Sequence, residues 1–126
     1  MKEIAVVTML ILIGAGVACA ERFESSKGAG IYQVTLKMAD YPLAVGDNKA
    51  TIAVHDAGGP VAGAEVRLYY FMPSMPSMNY ETMASFRENE YEAAIKPSMP
   101  GDWTVEVRVH GADGITHKAL FDFKAK

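Results

Sequence analysis

From residue 31 onward, apolar and polar positions alternate in short runs, and turn residues separate the runs. Residues 31–38, IYQVTLKM, set Tyr32, Val34, Leu36 and Met38 against Gln33, Thr35 and Lys37. That period of two predicts a half-buried strand. A second strand is expected over residues 49–56, carrying Ile52 and Val54 inward, after the turn Val45-Gly46-Asp47-Asn48. Ala57-Gly58-Gly59-Pro60 is the next turn signal. Residues 64–72 alternate Val66, Leu68, Tyr70 and Met72 with Glu65, Arg67, Tyr69 and Phe71. Aromatic residues on both faces there point to a central strand. Short strands are expected at 83–86 and 90–96, the latter with Tyr91, Ala93 and Ile95 inward. The clearest pattern is residues 102–110, where Trp103, Val105, Val107 and Val109 oppose Thr104, Glu106, Arg108 and His110. Residues 115–124 close the chain with Phe121 and Phe123 on one face.

Residues 73–83, PSMPSMNYETM, interrupt this regularity. Two prolines in four residues lack backbone donors, so a loop is expected there. About seven strands in roughly 100 residues, joined by turn chemistry, predict an all-β fold: an immunoglobulin-like sandwich of antiparallel strands.

The first twenty residues follow different rules. Lys2 is followed by an apolar run from Ile4 to Ile13, then by small residues from Gly14. Charge, apolar core and small residues in that order make a secretory signal, with Ala18-Cys19-Ala20 as an A-x-A cleavage site. The rival reading is a membrane anchor, for which Ile4 to Ala20 is at the short end. Cys19 is the sole cysteine. Its place after the apolar core makes it a candidate lipid-attachment residue, although Gly16 stands where that pattern usually has leucine. Residues 21–30, polar and small, read as a flexible tether, with residues 31–126 as the domain. The chain is therefore expected to be exported, either periplasmic or tethered on the outer side of a membrane. Association with the membrane would run through the N-terminus.

The 126 residues carry a formal charge of −3, and no basic face stands out. Nucleic-acid binding thus has no electrostatic footprint. No nucleophile elbow, zinc-protease helix, phosphate loop or dinucleotide fingerprint occurs. Glu81, Glu88, Glu90 and Glu92 fall on edges and turns, where charges are normally solvated. A non-enzymatic binding domain is the expectation.

Methionine is the anomaly. Eight occur, and Met72, Met75 and Met78 stand at three-residue spacing. A second string, Pro97-Ser98-Met99-Pro100, carries Met99. Thioether sulfur is a soft ligand suited to Cu(I), and it needs no deprotonation to bind. The plain alternative is a flexible plug over one end of the sandwich. A third is an adaptable docking surface for a membrane or periplasmic protein. His55 and His110 end strands near turns and read as surface residues. His117 shares strand parity with Ala119, Phe121 and Phe123, so it is a weaker ligand candidate.

These strings also resemble those of a known family. Val45-Gly46-Asp47-Asn48, the hairpin Asp56-Ala57-Gly58-Gly59-Pro60-Val61-Ala62-Gly63-Ala64, Met72-Pro73-Ser74-Met75, Tyr91, and Met99-Pro100-Gly101-Asp102-Trp103 run in the order of a YtkA-like domain. Glu90 replaces a usual glycine beside Tyr91. The resemblance spans residues 31–124 and implies a small exported β-sandwich. It also implies a link with copper handling and with assembly of copper-containing oxidases, with Met72, Met75, Met78 and Met99 at the matching positions. The paired Met-Pro elements could equally be structural, meeting at one end of the sandwich.

Overall fold

A computed structural model describes residues 21–126. The expected signal or anchor over residues 1–20, with Cys19, lies outside them. The described chain is built of β-strands in two sheets. The first contains β1 (Glu21–Ala29), β2 (Tyr32–Tyr41), β3 (Asn48–Asp56), the two-residue β4 (Gly59–Pro60), β7 (Ser85–Arg87) and β8 (Glu90–Ile95). The second contains β5 (Glu65–Met72), β6 (Met75–Met83), β9 (Gly101–His110) and β10 (Thr116–Ala125). Strand order is β1-β2-β3-β8-β7 in one sheet, with β4 on β3, and β10-β9-β5-β6 in the other. All strand pairs are antiparallel. This is the expected sandwich, with ten strands rather than seven.

The core is made by the alternation itself. On β2, Tyr32, Val34, Leu36 and Met38 are buried, and on β9 Trp103, Val105, Val107 and Val109. Val66, Leu68, Tyr70 and Met72 from β5 and Phe121 and Phe123 from β10 complete the inner faces. Inner side chains of two sheets interdigitate in this way in aligned sandwiches. Tyr69 and Phe71 lie on the outer face of β5, half-buried against each other, and the Arg108 guanidinium carbon stands 5.1 Å from the Tyr69 ring centre.

Two expectations are corrected. Residues 21–29 are not a tether. They form β1, paired along β2 from Phe23↔Met38 to Ala29↔Tyr32. An edge strand has one neighbour to hold it, and here only Phe23 and Ala29 bury apolar surface. That leaves no alternation to recognise. Residues 75–83 are not a loop. They form β6, the free edge beside β5, and Pro76 is tolerated because an edge strand does not need every donor. The pairing jumps from Phe71↔Asn79 to Met72↔Met75. That irregularity absorbs Pro76 and re-aims the methionines.

The hairpin between β7 and β8 turns through Glu88 and Asn89, with φ of 53° and 69°. Positive φ at both central residues is what the right-handed twist of a two-residue hairpin requires. Tyr91, buried just beyond it, donates from its hydroxyl to Val61 O at 2.8 Å. The same hydroxyl accepts from Ala64 N at 3.1 Å.

A thioether-lined cleft at one end of the sandwich

The last residue of β5, Met72, leads into the turn Pro73–Ser74, and Met75 opens β6. The segment between β8 and β9 brings Met99 to the same end. Together with Trp103, Phe123 and Tyr41 they line a cleft of about 820 Å³. Three of the four methionines singled out in the sequence therefore converge.

They are not equivalent. Met72 is 4% exposed and belongs to the core. Its Cε packs so closely on Gly101 that a Cβ there would lie 2.8 Å away. Gly101 also has φ +136°, which side-chain-bearing residues rarely adopt. Met75 is 41% exposed at the rim. Met99 packs on the core edge, and the Trp103 indole donates to its carbonyl at 3.1 Å. That bond ties the loop to the largest of the fully buried core side chains. Met78 lies outside the cleft lining. Its sulfur accepts weak bonds from the Tyr80 hydroxyl at 3.9 Å and the Ser98 hydroxyl at 3.8 Å.

His117 does not join the methionines. It stands near the start of β10, six residues from the cleft residue Phe123. Six residues of extended strand span roughly 20 Å. There its Nε2 donates to Asp113 Oδ2 at 2.7 Å, and its ring meets Tyr32 edge-on. The contact with His117, and then the Ile115 backbone N–H, hold the Asp113 carboxyl below its ordinary pKa. His55 and His110 are exposed, as expected. Among the described residues, no three His, Cys, Asp or Glu side chains are placed to hold a metal ion together.

The polar rim of the cleft is not apparent in the strand patterns. Lys124 Nζ donates to Asp102 Oδ1 at 2.8 Å, and Thr104 donates to Asp122 Oδ1 at 2.8 Å. The Asp102 contact raises the Lys124 pKa. Tyr41 accepts from Lys124 N at 2.8 Å, which ties the end of β2 to β10. Only the β9–β10 register, which sets Lys124 opposite Asp102 and Asp122 opposite Thr104, creates this rim. Opposite charges on expected neighbouring strands were the one available hint.

Known proteins speak mainly to the fold and the family. No curated protein matches the chain. Among solved structures, a DUF4426 family protein from Pseudomonas aeruginosa PAO1 superposes with a TM-score of 0.57 at 12% identity. The match covers 80% of this chain and 93% of that one. At such identity the likeness supports the sandwich fold alone. The YtkA-like family model matches residues 26–108, from within β1 to within β9, across both Met-Pro elements. The chain belongs to the YtkA-like family.

Proposed function

We propose that this protein is a non-enzymatic, exported binding domain that takes up Cu(I) at the cleft through the thioethers of Met75 and Met99, with Met72 beneath them. The observation that carries this reading is the shared cleft: Met72, Met75 and Met99 come from two separate segments of chain and line one opening. Thioethers favour a soft monovalent ion, and Trp103 and Phe123 give the cleft an apolar wall beside the methionines, with Asp102 and Asp122 at its rim. Met75 supplies an exposed sulfur for exchange, and Met99 a sulfur on an anchored loop. The export reading rests on the signal-like residues 1–20.

A structural role has its own support at two positions. Met72 is buried and Met78 is engaged by Ser98 and Tyr80. Those side chains act first as packing, so metal binding is proposed to centre on Met75 and Met99.

Anaerobic Cu(I) titration of the purified protein against a competing chelator tests the reading. One-to-one binding is expected in the parent and in Met78→Leu, and loss of it in Met75→Leu/Met99→Leu. Leucine keeps much of the volume while removing the sulfur. Equal binding by parent and double variant would overturn the assignment, and so would none in either.

A further inference from the structure

Chain direction carries an inference about what the cleft faces. Glu21, the first residue that the structure describes, already lies in β1 and pairs with Tyr41, which lines the cleft. The polypeptide thus joins the sandwich at its thioether end. The opposite end holds the β1–β2 turn with Ile31, and Ile115 before β10. Ten-residue strands such as β9 separate the two ends by roughly 30 Å.

Ten free residues could extend about 33–36 Å, as far as the sandwich is long, and would let the domain present any face to a surface. With β1 clamped on β2 that slack is gone. An apolar segment ending at Ala20, or a lipid carried on Cys19, lies within two residues of Glu21. Two residues reach at most about 7 Å.

Apolar side chains are exposed at both ends of the sandwich, Ile31 and Ile115 at the far one, so the orientation is set by where the chain enters and not by apolar exposure. Val45, in the segment between β2 and β3, is 46% exposed and Met75 is 41% exposed. Pro73 and Pro100 also line the opening. Gly46 N donates to Pro97 O at 3.1 Å, which joins the Val45 segment to the loop bearing Met99. Apolar side chains on a rigid rim can enter the headgroup boundary of a bilayer without refolding.

We infer that the cleft end of the sandwich is its membrane-facing end, with the headgroup layer of the bilayer lying against Val45, Met75 and the Pro73–Ser74 turn. Cargo leaving the cleft would then pass to a site at the membrane surface rather than into open solution. The inference rests on retention of the N-terminus at the membrane and not on the metal.

The test uses the full chain, taken from the membrane fraction and placed in nanodiscs of zwitterionic and anionic phospholipid. Methionine and isoleucine methyl groups carry ¹³C, and a small share of headgroups carries gadolinium. Met75 and Met99 signals are expected to broaden several-fold more than those of Ile31 and Ile115, with no copper present. Equal broadening at both ends, or stronger broadening of Ile31 and Ile115, overturns the orientation. Recovery of the domain free of the discs overturns the retention on which it depends. Neither result bears on the copper titration, so the two readings fail separately.

Discussion

Gly30 lies directly against His117: a Cβ on Gly30 would stand 2.0 Å from the imidazole Nδ1. Gly30 belongs to the β1–β2 turn of one sheet and His117 to β10 of the other, so the pair closes the sandwich at the end away from the cleft. The imidazole is hemmed in on its other sides by Tyr32 and Asp113.

Gly30→Ala is therefore expected to destabilise the fold. Gly30 has φ +64°, and the added methyl must displace a ring held by two neighbours. Positive φ and overpacking each oppose the change, and together they should cost about 1–3 kcal/mol. Urea unfolding would read this as a lower midpoint at unchanged slope. A midpoint equal to the parent's would mean that the β1–β2 turn is not docked on β10.

The same corner should make stability depend on acid. The Asp113 carboxyl is held below its ordinary pKa, first by His117 and then by the Ile115 N–H. A depressed carboxylate stabilises the fold above its unfolded pKa, and that contribution is lost as pH falls through the folded value. In Asp113→Asn that part of the dependence disappears. The variant should be less stable than the parent near neutrality, and the gap should narrow on acidification below the ordinary carboxylate range. Urea midpoints across an acid series check this. A constant gap would rule out Asp113 as the titrating group.

How much of this was legible depended on where each strand sits. β2 and β9 have a neighbour on each side and one buried face, so Val34, Leu36, Val105 and Val107 announce themselves by alternation. β1 and β6 are edges. β1 buries little beyond Phe23 and Ala29, and β6 carries Pro76 and an irregular register, so neither has a period to read. The burial of Met72 followed from its parity with Val66, Leu68 and Tyr70. The meeting of Met75 with Met99 did not follow from any local pattern, because 24 positions and a strand order outside sequence order separate them. Only the paired family elements hinted at it. The parity of His117 was readable, but its partner Asp113 is supplied by the turn.

Tyr91 offers a cleaner test of one polar contact. It is 2% exposed, and its hydroxyl bridges Val61 O and Ala64 N across the chain between β4 and β5. Tyr91→Phe keeps the ring against Phe86 and removes both bonds. The Val61 and Ala64 backbone groups are half-buried and partly open to water, so losing their partner should cost about 1 kcal/mol. Thermal unfolding should fall accordingly, and amide exchange at Ala64 should accelerate more than elsewhere. A loss of stability without faster exchange at Ala64 would place the effect in ring packing instead.

Met72 and Met75 are three residues apart, and alanine should separate their roles. Met72→Ala empties a site beside Gly101 that is 4% exposed. Large-to-small changes at such positions cost about 2–5 kcal/mol, because the surrounding sheets relax only partly. Met75 is 41% exposed, and Met75→Ala should stay within about 0.5 kcal/mol of the parent. Its effect should appear in Cu(I) competition instead. Equal stability losses at the two positions would mean that the Met75 side chain folds over the cleft as packing. Its sulfur would then not be free to exchange an ion. A large loss at Met72 alone, joined to weaker Cu(I) binding at Met75, would separate the residue that builds the cleft floor from the residue that uses the cleft.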